Sequence, residues 1–469
     1  MSSLFDILSQ SSVSLGAQTA VSATASNNLA NSATPGYARQ DAVVVDVPGV
    51  GGFGGGARLD TVTQKRDRFI EAQLPLAFGQ AAFSQAQSDA LGAVSALDPN
   101  TGNGIDSALS NFFTSLQSLS QNAGDTGLRQ GVVSAAQQLA MAFQRTSQGL
   151  SQPRGALDQQ IASEIPQVNQ LAAQVAQLNG QIHSAAASGV QPNDLMDQRQ
   201  RAVDQLAQLT GATVVNDSSG DVSLALPSGQ ALVTGGAAAS LSVAPDPSNG
   251  GHLSLLLTRA DGTGPVSLAN DAVGGSIGGQ LTARDGALKT AESSVDQLAW
   301  DLGTAINTAH AQGYALDGTT GHALFDLGSG PSGAASRIAV DSAVAGNPSL
   351  VAAAGSSSAG AGDATNLFSL IDVGGQALSG GADATSTLAG IVAGFGSASS
   401  GATAVAAQDA AIQSNLTTLR DSTSGVSVDE ELIKMQQAQR SYEAITRVIS
   451  TTTAMLDSLM AIGATTTGV

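Results

Sequence analysis

Cysteine is missing from all 469 residues. That excludes a disulfide, a thiolate nucleophile and any sulfur-ligated metal, and leaves the chain indifferent to an oxidising compartment. Basic residues are scarce: 18 Lys plus Arg against 37 Asp plus Glu give a formal charge of -19 and a pI of about 4.3. With no basic stripe to hold a phosphate backbone, nucleic acid is not an expected partner. Aromatic residues make up 3% of the chain, so a core must be built from Leu, Val, Ile and Ala on regular elements rather than around large rings. No run of about 18 apolar residues is found, and no membrane partner is expected. The N-terminal stretch of Ser, Thr, Ala and Asn lacks the basic start and apolar run of a cleaved signal peptide. Export would therefore use a route that leaves this end intact.

What is present divides into three regimes. From Met1 to about Asn31, Leu4, Leu8, Leu15, Val21 and Leu29 fall at spacings of three, four and seven among weak helix formers. Such a segment is expected to be helical only when a partner covers it. Thr34-Pro35-Gly36-Tyr37 stops it, because Pro35 cannot continue a helix and Pro-Gly fits the centre of a type II turn. Extended chain follows at Val43 to Val47, then a glycine cluster from Gly49 to Gly56 that reads as a flexible joint rather than a phosphate loop, since no Lys-Ser/Thr follows it.

From about Lys65 to Leu209 the period is helical, with Phe69, Leu74, Leu76, Phe83, Leu109, Phe112, Leu116 and Leu119 on recurring three and four spacings. Breaks are expected at Pro99–Gly104, Asn122–Gly127, Gln152–Gly155 and Ser188–Asn193. Between about Gly211 and Val273 the period shortens to that of strands, as in Val222-Ser223-Leu224-Ala225-Leu226. Helix returns from about Gln280 to Ala311 and from Ser386 to Arg420, with a short strand expected at Arg337 to Val340. The fold class is mainly α with an inserted β domain: a discontinuous helical-bundle body, and paired N- and C-terminal helices forming a coiled-coil stalk. The expected divisions are 1–45 with 425–469 for polymerisation, 46–210 with 274–424 for the body, and 211–273 for the β domain.

The C-terminal segment is the most legible. Ser427-Val428-Asp429-Glu430 is a capping box that places three acids at the positive end of a helix. Val428, Met435, Tyr442, Ile449 and Leu456 then recur seven apart, with Ala438, Ile445, Thr452 and Leu459 as the second seam position. Such a helix makes a rod of roughly 50 Å. The candidate assembly surface comprises Leu4, Leu8, Leu15, Leu29, Asn31, Tyr37, Arg39, Val428, Leu432, Met435, Tyr442, Ile445, Ile449, Leu456 and Leu459. Tyr37 and Arg39 invite a specific contact, with Arg39 over a ring or on a neighbour's carboxylate; simple packing of Tyr37 at the turn is the plain alternative.

Asn27-Asn28-Leu29-Ala30-Asn31-Ser32-Ala33-Thr34-Pro35-Gly36-Tyr37 resembles the signature shared by flagellar rod, hook and hook-associated proteins. Ala38-Arg39-Gln40 narrows the resemblance to the hook-associated protein 1 family, because rod and hook proteins usually carry Lys after the Tyr. Arg66 to Leu74, Gly278 to Asp285, Asn307 to Gly313 and Ser424 to Glu431 match the same family in order. The resemblance implies a ring-like subunit at the distal end of the hook, exported unfolded through the flagellar type III apparatus. Its implied partners are copies of itself, the hook protein, hook-associated protein 3 and a cytoplasmic export chaperone holding the C-terminal helix. Its implied location is extracellular, at the hook-filament junction.

One motif points elsewhere. Gly274-Gly275-Ser276-Ile277-Gly278 matches the nucleophile elbow of serine hydrolases, with His310 and His322 downstream. The elbow needs a buried strand before it, whereas Leu268 to Val273 contains Asn270 and Asp271, so a glycine-rich connector is the better reading. His183, His252, His310 and His322 are isolated and read as surface or loop residues, leaving no expected catalytic, metal or cofactor site. A structural subunit is thus expected; a hook or rod subunit is the nearer alternative and a secreted hydrolase the remoter one.

Overall fold

The computed structural model describes residues 2–48, 55–97, 104–189, 191–216 and 221–466. In chain order these form α1 (Ser2–Ala30), the antiparallel hairpin β1 (Gln40–Asp46) and β2 (Ala57–Gln64), α2 (Arg68–Gly92), α3 (Ile105–Gln121), α4 (Thr126–Ala187) and α5 (Asn193–Thr210). The β region follows. It comprises a four-stranded antiparallel sheet of β3 (Thr213–Asn216), β4 (Val222–Ala225), β5 (Ala231–Thr234) and β6 (Ala237–Ala238), then a three-stranded one of β7 (Ser240–Pro245), β8 (Leu253–Thr258) and β9 (Val266–Ser267). The chain then returns to helix in α6 (Gly275–Ala283), a π turn at Arg284–Leu288 and α7 (Lys289–Gln312). The short elements β10 (Phe325–Asp326), α8 (Ala334–Arg337), β11 (Ala339–Val340), α9 (Ser342–Gly346) and α10 (Thr365–Asp372) lead to α11 (Ala384–Ser424) and α12 (Val428–Thr466).

Short polar side chains open the body helices. Asp67, Asp125 and Asp383 each accept from a backbone N–H of the first turn of α2, α4 and α11, satisfying donors that have no partner within the helix. The expected breaks at 122–127 and 188–193 separate α3, α4 and α5. The break expected at Gln152–Gly155 is absent, because α4 runs for 62 residues straight through Pro153 and Pro166. A proline removes one donor and crowds the preceding turn, but buried Leu150 and Leu157 on either side anchor both halves. The break expected at Pro99–Gly104 falls outside the described residues up to position 103, as does the glycine cluster from 49 to 54. The strand expected at Arg337–Val340 is shorter than that: Arg337 ends α8, and Ala339 and Val340 pair with β10.

Two cores share α4. Its first half packs with α3, α7 and α10 around Phe112, Leu116, Leu139, Phe143, Leu302 and Phe325. Its second half packs with α5, α6 and the strands around Ile161, Val175, Leu206, Leu232, Leu257 and Ile277. The β region therefore lays its apolar side on the same long helix that spans the bundle.

Chain enters and leaves the β region at one tight crossing. Gly274 N–H donates to Thr210 O at 2.8 Å, and a Cβ on Gly211 (φ +66°) would meet Gly274 Cα at 2.8 Å. Gly275 (φ +60°) lies equally close to the backbone of Gln208 and Leu209. Only glycine satisfies both the left-handed conformation and the approach.

Candidate assembly interface

The Asn28 amide donates to Glu431 Oε2 at 3.0 Å, so the end of α1 meets the beginning of α12 and the two helices run antiparallel along one another. The buried line between and beside them is narrower in side chain than the sequence suggested. On α1 it is Ser11, Ala17, Ala25 and Asn28; on α12 it is Glu431, Ala438, Thr452 and Leu456. Small residues let the backbones approach closely. Leu4, Leu8, Leu15 and Leu29 flank that line half-buried, as do Leu432, Met435, Ile445 and Ile449 on α12. Val428, Tyr442 and Leu459, expected in the same seam, are instead exposed, Tyr442 at 45%. The heptad is real in spacing, but one helix the size of α1 covers only part of it. Also left facing solvent are Phe5 (59% exposed), Ile7 and Val13 on α1, and Ile433, Val448, Met455 (53%) and Met460 on α12.

The β1–β2 hairpin covers another side of α1. Ala57 N–H donates to Ser14 Oγ at 3.1 Å, and Gly56 (φ +86°) sits where a Cβ would press on the Gln10 and Ser14 side chains at 2.7 Å.

A polar joint ties this pair to the body. Gly36 has φ +73° and Tyr37 N–H donates to Thr34 O at 3.2 Å, which makes the expected type II turn. The turn throws Tyr37 back onto α1, where its hydroxyl donates to Asn28 Oδ1 at 2.8 Å. Gln40 N–H donates to the same oxygen at 2.9 Å, and the Asn28 amide donates to Gln40 O at 2.8 Å as well as to Glu431. A fully buried Asn thus fills two acceptor and two donor positions. Burial, with Asp197, Asp194 and Glu431 nearby, pushes the Tyr37 hydroxyl above its ordinary range, keeping it a donor.

The joint extends in both directions. Lys434 bridges Glu431 Oε1 at 2.9 Å and Asp41 Oδ1 at 2.7 Å. Arg39 donates its N–H to Ser424 O at 2.8 Å and pairs with Glu430 of its own chain at 2.6 Å. The capping box is consequently half-formed: Glu430 N–H reaches Ser427 Oγ at 3.4 Å, while the Glu430 carboxylate turns to the guanidinium, the stronger partner. Towards the body, Gln40 Nε2 reaches Asp194 at 3.2 Å, Gln64 Nε2 reaches Asp197 at 2.8 Å, and Arg66 bonds both Asp197 and Glu71. Burial raises the carboxyls of Glu71 and Asp197 despite Arg66, and pushes Asp204 in the same region up to about 6. Asn31 stays outside the joint, bonded to Asn27 in the last turn of α1. Sequence reasoning missed Asn28, Gln40 and Glu431; an amide and a carboxylate at seam positions of apolar-striped helices were the available signal.

A family model described as the flagellar hook-associated protein FlgK helical domain matches residues 93–325, and one for the C-terminal region of flagellar basal body rod FlgEFG proteins matches residues 420–462. Flagellar hook-associated protein 1 of Salmonella typhimurium is 31% identical over 322 residues, 67% of this chain and 58% of that protein. The protein of that name from Bacillus subtilis is 28% identical over 503 residues, 98% of each chain. The chain belongs to the flagellar hook-associated protein 1 family. Its aligned part spans about 58% of the Salmonella relative's length. The fold agrees with the solved structure of the flagellar hook junction protein FlgK from Burkholderia pseudomallei, at a TM-score of 0.66 and 20% identity, covering 76% of this chain and all of that one.

The family motifs in the body turn out to be anchors. Arg284, inside the π turn, is buried and bonds Asp158 and Asp285, while His252 on the β7–β8 connection meets Asp158 at 2.6 Å, clasping the β region to α4. Asn307 accepts from Leu324 and Phe325 N–H and donates to Phe325 O. His310 is not a surface residue: it is fully buried, donating from Nδ1 to His322 O at 2.7 Å and accepting Ala352 N–H at Nε2 at 2.9 Å. Burial holds it below the usual imidazole range, hence neutral.

Gly274 to Gly278 opens α6 after a 3₁₀ turn rather than a strand. Ser276 donates to Glu164 at 3.0 Å, and the glycines serve close backbone contact, a Cβ on Gly278 meeting Val273 O at 2.3 Å. Among the described residues no group of three or more His, Asp or Glu could hold a metal ion.

Proposed function

We propose that this chain is a structural subunit joining the flagellar hook to the filament, assembled in a ring through its terminal helices. The observation that carries the reading is the incomplete cover of the α1–α12 pair, whose apolar stripes exceed what the two helices give each other. Each exposed Met, Leu or Phe covered by a neighbour contributes about 1.5 to 3 kcal/mol, so folding of the stalk is coupled to assembly. The body, with two cores of its own, is folded beforehand. The same stripe on α12 would be held by an export chaperone in the cytoplasm, and the subunit would work outside the cell between hook protein and hook-associated protein 3. Family membership and the names of the relatives support this reading.

Hydrogen exchange on full-length monomer and on isolated flagella tests it. Amides of α1 and α12 distal to Asn28 and Glu431 should exchange quickly in the monomer and become protected after assembly, whereas strong protection of both helices in the monomer would refute the mechanism. The match of residues 420–462 to the C-terminal region of rod proteins keeps a second reading, a rod or hook subunit. A null strain that builds hooks yet sheds unpolymerised flagellin marks the junction; one without hooks marks the alternative.

A further inference from the structure

α11 is unusual for a chain of net charge -19. From Ala384 to Leu419 its sole charged side chain is Asp409, 9% exposed and bonded to Gln80 of α2 at 3.4 Å. By length and composition the span Ala384–Ile462, which takes in α11 and α12, is apolar enough to cross a membrane, and its most apolar stretch is mostly exposed. Val405, Ile412 and Leu419 stand exposed along α11 seven residues apart, and Phe69 and Leu76 stand exposed on α2 at the same interval, although their spacing had placed the latter two with the core.

These five side chains form one band. The bonds Ser88–Thr403 and Gln80–Asp409 fix α2 and α11 as antiparallel; continued along that register, Leu76 comes level with Ile412 and Phe69 with Leu419. At about 100° per residue, both sets lie roughly a quarter turn to the same side of the contact line, the side on which Gln80 meets Asp409. The row on α11 is about 21 Å long at 1.5 Å per residue, with the period of a packed helix partner.

We infer that this α2–α11 band is a docking surface for a second copy of the same chain, in addition to the α1–α12 faces of the terminal stalk. The inference rests on the proposed assembly function. Two copies of charge -19 repel one another over most of their surfaces, and they meet at least cost where charge is sparse, as along α11 between Ala384 and Leu419; Arg68, Glu71 and Arg420 lie only at the Phe69–Leu419 end of the band. The band is also continuous with the stalk, because three residues, Gly425 to Ser427, separate α11 from α12. A neighbour seated on α12 extends onto α11.

The test uses the full-length protein in cells and two double variants at exposed positions, Ile412→Glu with Leu419→Glu and Met455→Glu with Leu459→Glu. Both should melt like the parent. Incorporation at hook tips should fall by at least about tenfold, 1.4 kcal/mol of association, for each. Since the chain has no native cysteine, Val405→Cys carrying a benzophenone maleimide reports what lies on the band; a dimer of this chain in isolated flagella is expected. An adduct with a different flagellar protein, no adduct, or binding of the parent but not the α11 variant to phosphatidylcholine vesicles would each overturn the inference. Normal incorporation of the α11 variant alone overturns the band and spares the stalk, while normal incorporation of the α12 variant overturns the proposed function itself.

Discussion

α4 and α12 are both long, at 62 and 39 residues, and both carry apolar residues at helical spacing, but their surroundings differ. α4 sends Val132, Leu139, Phe143, Ile161, Val168 and Val175 into two cores and leaves few large apolar groups outside. α12 hides Ala438 and Leu456 against α1 while Ile433, Val448, Met455 and Met460 face solvent. Propensity does not separate them; the number of faces covered within one chain does. A helix covered on its whole apolar arc belongs to a body that folds alone, and one covered on half of it belongs to an interface.

The comparison breaks most readily in the core. Phe112→Ala removes a fully buried ring packed edge-on to Phe113, 5.4 Å between centroids. It should cost about 3–5 kcal/mol of body stability, read as an early melting transition in calorimetry. Met455→Ala should shift the same transition by no more than about 0.5 kcal/mol. Comparable losses for the two would mean that the stalk is as much part of the folded monomer as the bundle.

The next largest effect belongs to the joint between the two regions. Asn28→Leu keeps the volume but strands the Tyr37 hydroxyl and Gln40 N–H and leaves Glu431 with Lys434 alone on Oε1, at about 1–3 kcal/mol for each buried group left unpaired. The loss should be local: faster exchange in the last turns of α1 around Asn28 and in the β1–β2 hairpin, with α4 unchanged. Uniform acceleration across α4 would show that stalk and body unfold as one unit.

What the sequence made legible follows the same division. Periodicity located α2, α4, α7, α11 and α12, and the short-period stretch located the strands, because these patterns record which face is buried. Pro153 misled because a local rule about one donor was outweighed by packing on both sides of it. The joint was half legible: Pro35-Gly36 announced its turn, and Tyr37 and Arg39 stood out, yet Asn28 pairs with Glu431 across 403 residues of sequence, a separation no local pattern encodes. His310 was misjudged for the same reason, its partner Ala352 lying on a distant loop.

A smaller effect sharpens the electrostatics of the joint. Asp204, pushed up to about 6 mainly by burial, binds its proton more tightly folded than unfolded. The contribution of this one carboxyl to stability therefore rises as pH falls from 7 through 6 towards 4, and its ionised form is a burden at neutral pH. Asp204→Asn should raise body stability by about 1–2 kcal/mol at pH 7.5 and by little at pH 4.5. Equal effects at both pH values would assign the change to packing.

The smallest expected effect is at the Arg39–Glu430 ion pair, which joins the chain after the signature turn to α12. Glu430 is largely exposed, and Arg39 reaches it through a single Nη1 contact, so the pair resembles surface bridges worth about 0.2–1 kcal/mol. Asp429 and Glu431 remain to face the helix N-terminus after Glu430→Gln. The variant should therefore loosen the start of α12 by less than about 1 kcal/mol in hydrogen exchange at low salt, and the difference should vanish in about 1 M NaCl, where the screening length falls to about 3 Å. A larger, salt-independent loss would place Arg39 and Glu430 among the groups that hold stalk to body, alongside Asn28, rather than at the rim of that joint.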